Sequence, residues 1–228
     1  MSAANVSVVI PALNEAVMLP QTLGRIRAVL PHAAVVVADA GSTDRTARVA
    51  TEFGAATVSA PRGRGPQCRA GAQITSSAWL LFLHADTLLP LDAASVIARF
   101  QAQPNAQIAT FRHRFTDGGF LLNASAWLAT RVDSVFTRFG DQGILIRRSF
   151  YDSIGGFDAW PLFEDVALLQ RARKSTRIHW LPATVETSAR RFRARGVLRQ
   201  RLLNARLMIQ YLAGVSPVEL AARYRSPV

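Results

Sequence analysis

Short apolar runs alternate with amphipathic segments through the first half of the chain. The runs VSVVIPAL, AVVVAD, AATVSA and WLLFLHAD are rich in β-branched and other apolar residues and predict four buried strands. Segments with apolar residues at helical spacing predict helices between and after them, namely EAVMLPQTLGRIRAVL, STDRTARVATEFG, PQCRAGAQITSSA and LDAASVIARFQ. This alternation predicts an α/β fold with a mostly parallel central sheet flanked by helices.

The second half of the chain is less regular. AQIATFRHRF predicts a strand, FLLNASAWLATRVDSVFTRF one long helix, and QGILIRR a return to the sheet. FEDVALLQRARK predicts a helix that opens on two acids, IHWLPATVETSA a strand or loop, and the C-terminus a basic helix. Because the sequence shows no repeat or linker, we expect a single domain over residues 1–228 with a C-terminal extension.

Polar residues follow each of the four predicted strands. Ligands of an open α/β sheet bind beyond the carboxyl ends of the strands, so these residues are the candidates for a binding site. After successive strands come Asn14-Glu15, the DAGSTD segment that starts at Asp39, PRGRGPQCR, and His84-Ala85-Asp86. We expect all four groups to lie on one edge of the sheet.

The DAGSTD segment has two interpretations. The carboxylate of Asp39 could accept hydrogen bonds from a ribose hydroxyl or a base N–H, with Gly41 relaxing the backbone beside it. Alternatively, the segment is a tight turn that caps the next helix, with Ser42 or Thr43 near the N-cap. The first turn, PALNEA, contains no glycine, so the Gly-x-Gly-x-x-Gly dinucleotide fingerprint is absent there.

The RGRGPQCRAG segment is a candidate phosphate cradle. Glycines such as Gly65 would let the backbone approach a phosphate, while Arg62, Arg64 and Arg69 would supply positive charge. The segment lacks the Lys-Ser/Thr ending of a P-loop, which argues against ATP hydrolysis of that kind. A solvated basic loop is an equally good interpretation.

Two acidic features carry the predicted chemistry. Asp86 ends a very apolar strand and must be hydrated, hydrogen-bonded or bound to a cation, and a divalent cation holding a diphosphate would suit it. His84, two residues earlier, is a second candidate ligand, a donor to phosphate, or a plain strand-end histidine. Glu164-Asp165 opens a helix, where the helix dipole favours carboxylates, and follows a flexible aromatic segment that suits a base at the rim of a cleft.

The chain carries a formal charge of +12, and Lys174 is the only lysine among its 27 basic residues. Arginine suits bidentate contact with phosphate, so an anionic partner is expected. Much of the excess lies after residue 170, where a basic amphipathic helix could rest on an anionic membrane or pack on the domain. We expect no nucleic-acid partner, because the acids on the strand edge would repel phosphate.

Cysteine usage and the absence of apolar spans indicate the compartment. Cys68 is the only cysteine, so there is no internal disulfide and no cysteine-based zinc site. The N-terminal segment lacks the features of a secretory signal, and no window approaches the roughly 20 apolar residues of a membrane span. We therefore expect a cytoplasmic protein, with peripheral contact at the inner face of the membrane as an alternative.

The ordered set IPALNE, DAGSTD, HAD, the Gly155-Gly156-Phe157 segment and Glu164-Asp165 resembles family 2 of inverting, nucleotide-sugar-dependent glycosyltransferases with the GT-A fold. HADT, GDQGILIRRSFYDSIGGF, FEDVALLQRAR and TSARRFRARGV resemble, more closely, the small bacterial "transferase 2, radical-SAM/selenodomain-associated" subgroup. His84 stands where the first acid of the family's Asp-x-Asp is usual. ARRF stands near where polymer-extruding synthases carry Gln-x-x-Arg-Trp, which argues against such a synthase.

The resemblance implies an inverting hexosyltransferase that uses Mg²⁺ or Mn²⁺ and a nucleotide-diphosphate sugar, with a small molecule or a lipid as acceptor. Asp165 is implied as the base, Glu164 as a residue that holds the acceptor, and Asp86 as the metal ligand, with His84 as a second candidate. The implied donor-site residues are Pro11, Asn14, Glu15, Asp39, Gly41, Arg62, Gly65, Arg69, His84, Ala85 and Asp86. The implied acceptor-side residues are Asp141, Gln142 and Arg191.

The resemblance also implies a division of the domain. Residues 1–115 would form the nucleotide-sugar-binding half and residues 116–190 the acceptor and catalytic half. Residues 191–228 would form the basic helical extension, through which peripheral membrane contact would occur.

Overall fold

A computed structural model describes residues 5–129, 134 and 137–225 of the chain, and these residues form one sheet flanked by helices. The strands are β1 Val6–Ala12, β2 Ala34–Asp39, β3 Ala56–Ser59, β4 Trp79–Phe82, β5 Thr87–Leu88, β6 Ile108–Thr116, β7 Ile144–Arg147 and β8 His179–Ser188. The helices are α1 Leu19–Val29, α2 Thr46–Glu52, α3 Arg64–Gln73, α4 Ala93–Gln101, α5 Gly119–Ala129, α6 Arg148–Ser153, α7 Glu164–Ser175, α8 Arg190–Arg195, α9 Val197–Leu212 and α10 Pro217–Arg225, with a 3₁₀ turn at Gly140–Gln142.

The strand order among the described residues is β3-β2-β1-β4-β7-β6-β8-β5. The first four strands are parallel, β7 runs antiparallel to both of its neighbours, and β6 is parallel to β8. The predicted α/β fold with a mostly parallel sheet is therefore confirmed. Helices α1 and α4 cover an apolar core on one face, while residues of α3, α6 and α7 pack on the other.

The segment after β4 differs from the prediction. The strand ends at Phe82, and the N–H of Thr87 donates to the carbonyl of His84 at 3.2 Å, so His84 and Asp86 lie in a turn. Side chains two residues apart share one face only within a strand. Because His84 and Asp86 lie beyond the strand, their spacing of two residues does not place them on a common face. Thr87 and Leu88, which follow this turn, form β5, because the end of β8 offers them an antiparallel partner.

The start of α2 also differs from the prediction. Ser42 and Thr43 were expected near the N-cap, but the helix begins at Thr46. Both residues bond instead to Asn14: the N–H of Asn14 donates to the Ser42 hydroxyl, and the N–H of Thr43 donates to Asn14 Oδ1, each at 2.9 Å. The loops after β1 and β2 are therefore tied together side by side.

The helices of the second half are shorter than predicted. The single helix expected from FLLNASAWLATRVDSVFTRF is described as α5 up to Ala129, residues 130–133, 135 and 136 lie outside the described residues, and Ser134 and residues 137–139 are not helical. The basic C-terminal helix is divided within the described range into α8, α9 and α10. Gly196 and Gly214, at φ 81° and 89°, interrupt it, because such backbone angles are accessible to glycine and end a helix.

Gln67 of α3 joins the carboxyl ends of the two strands that carry the tied loops. Its buried amide Nε2 donates to the carbonyls of Ala12 in β1 and Ala38 in β2, both at 2.7 Å. These carbonyls lie where the strands end, and the carbonyl of Ala12 also accepts the N–H of Ala40 at 3.1 Å. The amide joins the two strand ends through buried hydrogen bonds, and Gln67 therefore contributes to the geometry of the edge.

We expect Gln67→Leu to lower the free energy of unfolding by about 2 kcal/mol, because two buried hydrogen bonds are lost. Urea denaturation monitored by circular dichroism measures this change. Gln73→Leu, at an exposed position of the same helix, is the matched control and should change stability by less than about 0.5 kcal/mol. Equal stabilities of the two variants would contradict the proposed role of the amide.

Candidate active site

The carboxyl end of β2 is a closed turn built on Asp39. Its Oδ2 accepts the N–H groups of Gly41 and Ser42 at 3.2 and 3.0 Å, and its Oδ1 accepts the Ser42 hydroxyl. Gly41 has a φ of 79°, which a tight turn of this kind requires and most other residues avoid. The turn interpretation accounts for these bonds, while the half-exposed carboxylate retains lone pairs toward the edge.

Arg190 connects the loop after β1 to the turn after β4. Its Nη2 donates to both carboxylate oxygens of Glu15, at 2.9 and 3.0 Å. Burial lowers the pKa of Arg190, but the bond and charge of Glu15 and the charge of Asp86 outweigh it, so the pKa is raised overall. Glu15 and Asp86 therefore lie close to the same guanidinium.

The His84-Ala85-Asp86 turn is fixed by its backbone. The Thr22 hydroxyl of α1 donates to the carbonyl of Ala85 at 2.7 Å, and the N–H of Ser188 donates to the carbonyl of Asp86 at 3.2 Å. Ala85 is buried, whereas the side chains of His84 and Asp86 are half-buried. The main chain is thus held by α1 and β8, and both polar side chains lie at the edge.

The loop before α3 packs closely against the segment that precedes α7. A Cβ on Gly65 would lie 2.1 Å from the carbonyl oxygen of Asp158 and 2.6 Å from that of Trp160. The N–H of Gly65 donates to that same Trp160 carbonyl at 3.1 Å. Only glycine permits this approach, so the structure places Gly65 in a packing contact at the position where the sequence suggested a phosphate cradle.

Of the three arginines in this segment, Arg64 lies among the acids. Burial lowers its pKa, but the nearby Glu164, Asp165, Tyr224 and Asp86 outweigh that effect and raise the pKa overall. A guanidinium in that position holds acidic groups from two sides of the edge together.

Arg62 and Arg69 have exposed side chains. Arg69 lines a separate groove of about 250 Å³ with Arg148, Tyr151 and Gly155. The structure thus brings Arg64 to the acids and places Arg69 in this groove.

Asp165 is held by the 3₁₀ turn opposite α7. Its Oδ2 accepts the N–H of Gly140 at 2.5 Å, and its Oδ1 accepts its neighbour's N–H, that of Val166, at 2.8 Å. A Cβ on Gly140 would lie 3.2 Å from both Asp165 Oδ2 and His84 Nε2, so these two atoms border the same point. His84 therefore faces the Asp165 side of the edge.

The pKa of Asp165 is raised. Burial is the main cause, and the hydrogen bonds from Gly140 and Val166 and the charge of Arg64 offset it only in part, while Asp141 raises it further. The side chain is nevertheless half-exposed at the surface of the edge. A carboxylate with a raised pKa and access to ligand is a better proton acceptor than an ordinary surface aspartate.

Glu164 differs from its neighbour in being buried, at 2% exposed. Burial and the adjacent Asp165 raise its pKa to about 8, despite the opposing effect of Arg64. Its Oε2 is enclosed and finds no hydrogen-bond partner among the described residues. Glu164 is therefore protonated at neutral pH in the folded protein. The positive charge of Arg64 then interacts mainly with the carboxylates of Asp165 and Asp86.

The predicted acceptor-side residues lie in and beyond the 3₁₀ turn. Asp141 is half-buried, and its carbonyl accepts the Thr187 hydroxyl at 3.1 Å. Gln142 is fully buried, with its Nε2 donating to the carbonyl of Thr137 at 2.6 Å, so it supports the turn. The side chain of Arg191 lies outside the described residues. Pro11, a predicted donor-site residue, is buried in β1 opposite Ala38, beyond the last residue that β4 pairs with.

Aromatic residues connect the C-terminal extension to the start of α7. Phe163, immediately before Glu164, has a φ of 61°, a strained angle for a residue with a side chain. Tyr211 of α9 stacks on its ring with centroids 4.8 Å apart, and Trp160 meets the same Tyr211 edge-on at 6.4 Å. Helix α9 therefore packs against Phe163, the residue that immediately precedes Glu164 and Asp165.

Several residues of this arrangement were missed by sequence reasoning. Arg190 was missed in favour of its neighbour Arg191, because two adjacent arginines give no signal of which one faces the edge. The role of Gly140 rests on its close approach to Asp165 and that of Phe163 on its backbone angle, and neither is visible in the sequence. Tyr211 lies far from Phe163 along the chain. The sequence signal that was available is the aromatic segment before Glu164, which indicated the region where Phe163 lies.

The side chains at the edge fit a divalent cation whose coordination shell is completed by the oxygens of a diphosphate. Within the described ranges, no group of three or more His, Cys, Asp or Glu side chains is arranged to hold a metal ion. Mg²⁺ and related cations are commonly held by one or two carboxylates together with substrate phosphates, and the half-exposed Asp86 offers such a ligand. His84 is directed to Gly140, where it borders Asp165.

The sequence profile of glycosyl transferase family 2 matches residues 7–158, which is well over half of the chain. The chain belongs to this family. The matched range contains the loops after β1, β2 and β4, with Glu15, Asp39 and Asp86, and it ends before Glu164. No curated protein matches the chain.

Solved structures with the GT-A fold are similar to the chain, and the expected GT-A fold is thereby confirmed. A mannosyltransferase from Pyrobaculum calidifontis, PcManGT, in complex with GDP-Man and Mn²⁺ has a TM-score of 0.62 at 20% identity over 80% of this chain. TarS residues 1–349 from S. aureus gives 0.63 at 14% identity over 81%. Glucosyl-3-phosphoglycerate synthase from Mycobacterium tuberculosis, with Mn²⁺, UDP and glucosyl-3-phosphoglycerate, gives 0.60 at 20% identity over 81%.

The chain spans only part of the length of these three proteins. It spans 56% of the mannosyltransferase, 60% of the TarS chain and 70% of the synthase. In the part of the chain that the structure describes, no helix is long and apolar enough to cross a membrane.

The buried Glu164 predicts a pH-dependent stability. Because the folded state retains a proton that the unfolded chain releases above the ordinary pKa of 4.5, the free energy of unfolding should fall as pH rises from 4.5 to about 8. We expect the melting temperature of the wild type to fall across this window by roughly 5 °C more than that of Glu164→Gln.

Thermal unfolding at several pH values measures this difference. Glu52→Gln, in which an exposed side chain of α2 is changed, is the control and should follow the wild-type profile. Parallel profiles of the wild type and Glu164→Gln would show that the carboxyl group is not protonated in the folded state.

Proposed function

We propose that the chain transfers a hexose from a nucleotide-diphosphate sugar to a hydroxyl group of a small molecule or a lipid, with inversion at the anomeric carbon. Membership of glycosyl transferase family 2 and the GT-A fold support a nucleotide-sugar glycosyltransferase. The observation that carries the proposal is the position of Asp165, whose half-exposed carboxylate is fixed by Gly140 beside His84 and Arg64. The motifs also favour the radical-SAM/selenodomain-associated subgroup.

Asp165 serves as the base in this proposal. The acceptor oxygen forms a bond to the anomeric carbon, the bond from that carbon to the diphosphate oxygen breaks, and the acceptor proton passes to Asp165. Two backbone N–H groups fix the direction of the carboxylate, which keeps a half-exposed surface for the acceptor. The raised pKa brings its basicity closer to that required for proton transfer near neutral pH.

The departing diphosphate requires positive charge, which two arginines and a cation would supply. Arg64 lies near Asp86 and Asp165, and Arg190, at the start of α8, also lies near Asp86. A Mg²⁺ or Mn²⁺ held by Asp86 would act as a Lewis acid toward the diphosphate. Because Glu164 is neutral, it does not consume the charge of Arg64, and its protonated carboxyl group can donate a hydrogen bond.

Asp39 and Glu15 would contact the nucleoside through carboxylate lone pairs that are not used by the hydrogen bonds described above. Asp39 holds its own turn in the orientation that exposes its carboxylate at the edge. Glu15 is fixed by the hydrogen bonds from Arg190, so Arg190 would position this acid. Two of the solved structures named above, those of the mannosyltransferase and the synthase, hold GDP-Man or UDP together with Mn²⁺, which supports a donor of this class.

We expect Asp165→Asn to lower the rate of sugar transfer by about 10²–10⁴-fold, because the amide cannot take the acceptor proton. Donor binding measured by calorimetry should remain within a fewfold of the wild type, since the side chain keeps its size. Asp92→Asn, at an exposed position before α4, is the control and should leave transfer unchanged. Turnover of Asp165→Asn at the wild-type rate would remove this residue from the base role.

We expect the melting temperature of the wild type to rise with one class of nucleotide or nucleotide sugar, and to rise further when Mn²⁺ is present. The screen uses UDP, GDP, CDP and dTDP and their hexose conjugates, each with and without Mn²⁺. Asp86→Ala should retain its fold but lose the Mn²⁺-dependent part of the shift, because the cation loses its protein carboxylate. Equal shifts in both proteins would show that Asp86 is not the metal ligand, and no shift with any donor would contradict the proposed function.

A further inference from the structure

Helix α9 has two apolar faces. Its inner face packs on the domain through Leu207 and Met208, which are 3% and 4% exposed, and through the stacking of Tyr211 on Phe163. Packing of one face would account for an ordinary surface helix whose opposite face is polar. The opposite face of α9 is not polar.

The outward face of α9 carries a stripe of large apolar residues. Leu198, Leu202, Ile209 and Leu212 are 72%, 63%, 63% and 47% exposed. At about 100° per residue, these positions fall within an arc of about 80° around the helix axis. Apolar residues scattered singly on a surface need no explanation, but four on one arc of one helix form a continuous apolar stripe.

Basic residues flank the stripe on both sides. Arg201 and Arg206 lie about 60° and 80° from its first residue in opposite directions around the axis. From Arg190 to Leu212 the sequence contains seven arginines and no acid. An apolar stripe between cationic flanks is the pattern of a helix that lies in the interface of an anionic lipid bilayer.

Charge complementarity distinguishes a lipid surface from the other occupants. A second copy docked on the same stripe would bring the arginine flanks of two chains together, and each chain already carries a formal charge of +12. A nucleic acid would use the arginines but would leave the aliphatic stripe in water, since base stacking requires aromatic side chains. An anionic membrane accommodates both the aliphatic stripe and the arginines.

We propose that the outward face of α9, formed by Leu198, Leu202, Ile209 and Leu212 with the flanking arginines, docks on an anionic membrane surface. The inner face of the same helix contacts Phe163, next to the acid pair, so docking would place the candidate active site close to the lipid headgroups. This inference rests on the surface of α9 and does not depend on the sugar-transfer proposal. It favours an acceptor hydroxyl that is presented at a membrane.

Flotation of the full chain with vesicles of phosphatidylcholine, with and without phosphatidylglycerol, tests the proposal. We expect the wild type to float with the anionic vesicles at low salt and to bind far less to pure phosphatidylcholine. The double variant Leu202→Glu with Ile209→Glu should lower the partition coefficient by at least about tenfold, because two charges replace the centre of the stripe. A matched control, Ile74→Glu with Leu91→Glu, changes two exposed apolar residues elsewhere, 52% and 79% exposed, and should bind as the wild type does.

Three outcomes would overturn the proposal. These are a failure of the wild type to float with anionic vesicles, equal flotation of the two double variants, and a wild-type dimer that the α9 variant dissociates without any vesicle binding. Sedimentation velocity measures the last of these. Circular dichroism and the thermal shift with donor should be unchanged in the α9 variant, so a loss of flotation is separated from misfolding and from failure of the donor site.

Discussion

The charge balance around Arg64 is the interaction on which the candidate site depends. One guanidinium lies near acids from two separate parts of the chain, Asp86 after β4 and the Glu164-Asp165 pair at the start of α7. Carboxyl groups at such short range repel one another unless one is neutral or a cation lies between them. The structure uses both devices, since burial keeps Glu164 protonated and Arg64 offsets part of the charge of Asp86 and Asp165. Two carboxylates exceed one guanidinium, so a diphosphate bound at this edge would require a further cation.

Much of the fold could be predicted from the sequence because its signals are local. The runs that form β1, β2 and β4 are apolar throughout, as buried parallel strands are, and the acids that open α7 mark the start of that helix. The errors occurred where a distant partner decided the outcome. β5 exists because β8 offers it a partner some hundred residues later, and the start of α2 is displaced because Asn14 engages the residues expected to cap it.

The candidate site was predictable in its acids and less so in its arginines. Asp86 and Asp165 stand out in sequence because charge at the end of an apolar strand or the start of a helix requires an explanation. Which member of an arginine pair or trio faces the edge depends on rotation around a helix that the sequence fixes only to within a residue or two. Arg64 and Arg190 were therefore found by the structure. The backbone angle of Phe163 leaves no trace in composition.

The contact between Gly65 and the backbone at Asp158 and Trp160 joins two regions that would meet different substrates in the proposed reaction. Gly65 follows Arg64, which would face the leaving group, while Trp160 lies a few residues before Asp165, which would face the incoming hydroxyl. With no side chain between the two backbones, neither segment can move without the other. A displacement that improved the hold on one substrate would also displace the group that serves the other. The positions of Arg64 and Asp165 are thus coupled through this one backbone contact.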